Sequence, residues 1–175
     1  MNALNERIES STVSVHTPNE LVFGEARGER EVRVWFAPGH YQHVSTRKLE
    51  DELATLARLL FVAGVGEHGV ALKEATGRTF INRPMIGRRD VAYVERLETL
   101  AAEGRSDDGT VQVTSVGQVS YAVPIVPGTL DRAPQQTFEA SCGQAANRLL
   151  VDVGQQAAAA RWEIYEPTPA ASSDC

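Results

Sequence analysis

The chain holds only two cysteines, Cys142 and Cys175, and their spacing belongs to no disulfide framework and no zinc site. No structural disulfide is expected. Aromatic residues make up 6% of the 175 positions, so the core must be filled by Val, Leu and Ala, with few of the large anchors that dominate tight interfaces. Long apolar runs are also absent: the longest, Leu59 to Val65, falls far short of the ~20 residues that cross a bilayer. The opening stretch Met1 to Arg7 has no basic segment leading into an apolar one, which reads as a cytoplasmic protein with no membrane contact. No Gly-x-Ser-x-Gly, Gly-x-x-x-x-Gly-Lys-Ser/Thr or Gly-x-Gly-x-x-Gly run occurs either. The expectation is a protein that is not an enzyme, with no cofactor and no metal. A formal charge of −6 argues against a surface given over wholly to nucleic acid.

What the chain does have is rhythm. Thr12 to His16 alternates as a strand should, Leu21-Val22-Phe23 begins a second run, and Val32-Arg33-Val34-Trp35-Phe36 is the clearest early strand, closed by Pro38-Gly39. A further short strand is expected over Tyr41 to Val44. Leu49, Leu53, Leu56 and Leu60 then recur at steps of four, three and four, the spacing of one helical face. Ser45 or Thr46 can cap that helix, and Gly64 is its expected stop. Glycines and Pro84 break any period over residues 65 to 86, which read as a connection with room for a short helix around Val70 to Ala75.

From Asp90, Val91, Val94, Leu97 and Leu100 repeat every three residues and predict a helix running to Gly104. Val111 to Val113 and Val119 to Ile125 alternate about a turn near Gly117 and read as a hairpin. A last helix has Phe138, Cys142, Ala145, Leu149 and Val153 on one face and runs to Trp162. The tail from Pro167 to Cys175 is too small and polar to fold.

The fold class is therefore α+β: antiparallel hairpins, each followed by an amphipathic helix. The halves share this order and the same opening helical steps, which reads as a duplication with loops of unequal length. The division is a first sheet-plus-helix unit and connection over 1–86, a second helix-hairpin-helix unit over 87–166, and the tail over 167–175.

Val111-Gln112-Val113, Gly117-Gln118-Val119, Val123-Pro124-Ile125 and Phe138 to Leu150 with Ala146-Asn147 resemble the YbaB family. In the first half, Gly39 to Val44 followed by Leu49 to Ala63 is similar to YbaB-like proteins encoded with mycobacterial type VII secretion systems. The resemblance implies small dimeric modules of helix, three strands and helix, which bind DNA in some members and serve secretion as accessories in others. Two such units in one chain would form a pseudo-dimer, each covering the other's open strand edges. The function implied is a binding or assembly protein, an accessory or scaffold that meets a protein partner or itself. The alternative is a DNA-binding, nucleoid-associated-like protein.

Three groups of residues are candidates for contact. Trp35 and Phe36 are neighbours on a strand and must face opposite ways, so Trp35, with Tyr41 and His43, marks a partner surface. Arg78, Arg83, Arg88 and Arg89 form a basic cluster that phosphates could contact, although Asp90, Glu95 and Glu98 follow at once, as in a solvated loop. His40 and His43, three apart on an expected strand, point to opposite faces and make no metal pair. Cys142 sits on the apolar helical stripe and reads as core, not as a nucleophile.

Overall fold

The computed structural model describes residues 12–28, 31–76 and 87–165, with the backbone alone over 65–76. The fold is α+β, with two three-stranded antiparallel sheets each followed by helices. In the first half, β1 (Thr12–His16), β2 (Val22–Arg27) and β3 (Glu31–Phe36) form a meander, followed by the short α1 (His40–His43) and the long α2 (Thr46–Thr76). In the second half, α3 (Arg88–Glu98) precedes β4 (Ala101–Arg105), β5 (Gln112–Val116) and β6 (Ser120–Ala122), then the short α4 (Thr129–Arg132) and the long α5 (Gln135–Tyr165).

Apart from α3, which has no counterpart among the described residues of the first half, the halves match element for element at a constant offset of 89 residues, 17 to 106, 22 to 111 and 39 to 128. Thr17 and Ser106 start the same turn: each hydroxyl both accepts from a valine amide, Val22 or Val111, and donates to that valine's carbonyl. Asn19 and Asp108 close these turns from the second position on, as Asx residues do. Gly39 and Gly128, both left-handed, open the two short helices. The long helices are both 31 residues and begin 89 apart. The loops within the matched parts are thus equal in length, against the expectation from sequence.

The halves also grip one another reciprocally. Glu50 on α2 accepts a hydrogen bond from the Ile125 amide of the second half at 2.8 Å. Its counterpart Glu139 on α5 accepts one from the Phe36 amide of the first half at 3.3 Å. Such exchange, where residue i meets j and the equivalent of j meets the equivalent of i, is the signature of an isologous, twofold interface. Asn147 adds an acceptor for the Val32 amide at 2.8 Å, so α5 satisfies the open edge of β3. One apolar core serves both halves, with Phe138, Leu49, Leu56, Val22 and Val111 fully buried in it.

Four expectations need correction. Tyr41 to Val44 is not a strand, because Gly39 turns the chain and His40–His43 coils into α1. The α2 helix does not stop at Gly64 but continues to Thr76, taking in the glycines at 64, 66 and 69; a glycine weakens a helix by only ~1 kcal/mol. The helix from Asp90 ends at Glu98, and Ala101–Arg105 is a strand. Its residues are poor strand formers by composition, but pairing with β5 and packing on α5 override that propensity. The second sheet is therefore a three-stranded meander where a hairpin was expected.

Candidate functional site

The outer face of the first sheet carries an aromatic ladder. In strands, alternate residues share a face, and cross-strand partners lie side by side. The register pairs His16 with Phe23 and Phe23 with Trp35, so one row crosses all three strands. The Phe23 and Trp35 rings stack at 5.8 Å, nearly parallel, and His16 tilts against Phe23 at 6.1 Å. Trp35 is exposed at 39% while its neighbour Phe36 is buried. The equivalent positions of the second sheet, 89 residues on, are Arg105, Gln112 and Pro124, and Arg105 bonds Gln112 there. The row is aromatic on one sheet and carries no aromatic residue on the other. Next to it, β1 is an edge strand, pairing with β2 and with no other described strand.

Of the other residues expected on this surface, His43 is exposed, its Nδ1 2.7 Å from the Gly39 carbonyl. Tyr41 is not on the surface. It is buried among Phe36 and Phe138, and its hydroxyl donates to the Ala133 carbonyl, tying α1 to the second half. The short helix turned inward a side chain that a strand would have presented outward.

Arg78 and Arg83 lie outside the described residues. Arg88 and Arg89 are exposed at the start of α3, and the C-terminal turn of α5 meets the residues that follow: Tyr165 donates to Asp90 at 2.5 Å and its ring meets Tyr93 edge-on at 5.9 Å. That bond raises the Tyr165 phenol above its ordinary value. Arg161 and the largely exposed Trp162 border the same hollow. Sequence periodicity missed this grouping, since Val91, expected inside, is exposed, and α3 packs instead through Tyr93 and Leu97.

A buried polar cluster was not foreseen. His40 Nε2 lies 2.6 Å from Glu52, with both side chains less than a tenth exposed, and Asn19 donates to the other Glu52 oxygen at 2.8 Å. It joins the first turn, α1 and α2. At the equivalent place in the second half, Ser141 donates to Asp108 at 2.7 Å. Burial alone would raise the Asp108 carboxyl, but hydrogen bonds from Ser106, Thr110 and Ser141 outweigh it and hold the group well below the usual carboxylate range. His40 and His43 do not converge, and among the described residues no three metal-ligating side chains do. Cys142 is buried in the core, and burial pushes its thiol far up, away from the thiolate. Among the described residues no helix is long and apolar enough to cross a membrane.

These features belong to a pseudo-symmetric α+β chain with one aromatic sheet face and one basic, aromatic helix end. No family model, no characterised protein and no solved structure matches the chain.

Proposed function

We propose that this protein is a non-catalytic assembly or accessory protein of YbaB-like character, and that it takes a protein partner on the outer face of its first sheet. The observation that carries the reading is the His16, Phe23 and Trp35 row, a stacked aromatic surface left in solvent beside the open edge of β1. Aromatic side chains are the anchors of protein interfaces, and an unpaired strand edge is a template for an added strand. The non-aromatic row on the second sheet argues that the aromatic one is not a requirement of the fold.

Trp35→Ala tests this. Trp35 is partly solvated and stacks on one ring, so the change is expected to lower stability by only about 1 kcal/mol. Association, read by light scattering of the pure protein or by partner capture, should fall at least tenfold. A wild-type chain that stays monomeric and captures nothing through this face refutes the reading.

A second reading is nucleic-acid binding at the hollow between α3 and α5, favoured by Arg161, Trp162, Tyr93 and Tyr165 around it and by the exposed Arg88 and Arg89 in the first turn of α3, a mixture of cations and stackable rings. Its signature is duplex or single-stranded DNA binding that weakens steeply with salt. No association at low salt ends it.

A further inference from the structure

Between the two long helices lies a cavity of about 680 Å³, and it sits where the halves meet. Its lining follows the repeat: Ala57 and Ala146, Leu60 and Leu149, Phe61 and Leu150 are pairs 89 residues apart, one from each helix. Buried Leu53, Leu56 and Cys142 with Val111 and Val113 form the deep end. The exposed Val151, Gly154, Gln155 and Ala158 mark the mouth along α5. No charged side chain lines it among the described residues.

The glycines there are the second observation. A Cβ at Gly143 on α5 would press on the Val32 carbonyl, so close packing accounts for that glycine. Gly64 on α2 and Gly154 on α5 differ: a Cβ at either meets nothing within 4 Å. Each lies inside a 31-residue helix, where glycine is ~1 kcal/mol worse than alanine, and neither gains packing in return. Both line the cavity. Two helix-weakening residues that face open space, one on each wall, keep the mouth wide enough for something to enter.

We infer that this cavity is a binding site for a small neutral ligand with a mainly aliphatic body and a single hydrogen-bonding group. The volume holds on the order of 20 methylene-sized groups at about 30 Å³ each, within the range of ligand pockets. An ionised ligand would find no counter-charge on the described lining and would lose its hydration, which disfavours a carboxylate against an alcohol or ester. Polar side chains are few, as such sites require: Tyr121, Gln118 and Gln155 supply them. Ser115, directly across the strand pair from Tyr121, holds a buried hydroxyl without a partner among the described residues. The site is separate from the aromatic sheet face and does not depend on that reading.

The test uses the full chain and the neutral dye 1-aminoanthracene, with dodecan-1-ol and dodecanoate as competitors. Saturable binding of one dye per chain is expected, displaced more strongly by dodecan-1-ol than by dodecanoate. Gly154→Phe places a ring in the mouth, and Gly64→Leu narrows it from the other wall. Both should keep or raise the melting temperature and weaken the dye at least tenfold. The inference is overturned by the absence of saturable binding to the wild type, by undiminished binding in both variants, or by dodecanoate competing better than dodecan-1-ol. It is also overturned if the wild type is a dimer that Gly154→Phe splits, for then a second copy fills the cleft.

Discussion

The reciprocal glutamates make the sharpest test of how the two halves hold together. Glu50 reaches out of α2 to the Ile125 amide at 2.8 Å, a bond between an ionisable carboxylate and a backbone group whose own residue is buried. Replacing Glu50 by Ala removes the acceptor and leaves that amide without one. Hydrogen bonds to charged groups contribute about 1.5–3 kcal/mol, and an orphaned donor costs about 1–3 kcal/mol, two views of one loss that must not be added. About 2 kcal/mol is therefore expected for Glu50→Ala, equivalent to roughly 4–8 °C in Tm for a chain of this size. Glu50→Gln keeps an acceptor of the same shape and should lose about half as much. Glu139→Ala should cost less than Glu50→Ala, because its bond to Phe36 is longer, 3.3 Å, and its carboxylate is shared with Gln135. Urea titrations at pH 7 followed by circular dichroism measure all three, with the slope checked for constancy. If Glu50→Ala unfolds within 0.5 kcal/mol of the wild type, the contact does not hold the halves together, and the reasoning from reciprocity fails.

Two other outcomes follow from the packing and the turns. Gly104→Ala is expected to destabilise by 3 kcal/mol or more, on the order of a severe overpacking, because its Cβ would fall on the Ala145 carbonyl and the Leu149 amide, backbone atoms of α5 that cannot give way; a soluble variant with wild-type urea midpoint would refute the close approach of β4 to α5. Asp108, whose folded carboxyl is held below its ordinary 3.8, contributes stability above pH 4 that fades as the pH falls below that value, so Asp108→Asn should flatten the acid limb of the stability curve between pH 5 and 2.5, measured by urea midpoints at each pH.

The legibility of the chain was uneven for reasons that can be traced to particular residues. Leu49-Leu53-Leu56-Leu60 and Phe138-Cys142-Ala145-Leu149 were readable because a buried helical stripe must repeat at 3.6 residues. Trp35 beside Phe36 was readable because strand neighbours must part. The strand Ala101–Arg105 was not, since Ala, Glu, Gly and Arg carry no strand signal and only the β5 ladder and the α5 backbone make it one. The aromatic row of His16, Phe23 and Trp35 needed a register, and the meeting of Asp90 and Tyr93 with Tyr165 needed a helix packing, neither of which lies within any short window of sequence.

By itself, the sequence determined what local periodicity and composition can determine: an α+β chain, helices with apolar faces at Leu49 to Leu60 and Phe138 to Val153, and a core that buries Cys142. Tertiary structure alone decided the equal spacing of the halves, the exchange of Glu50 and Glu139 across them, and the cavity where α2 and α5 face one another. The reason is that a side-chain pattern fixes which face is buried, whereas the partner of that face, and any space left between partners, depends on residues scores of positions away.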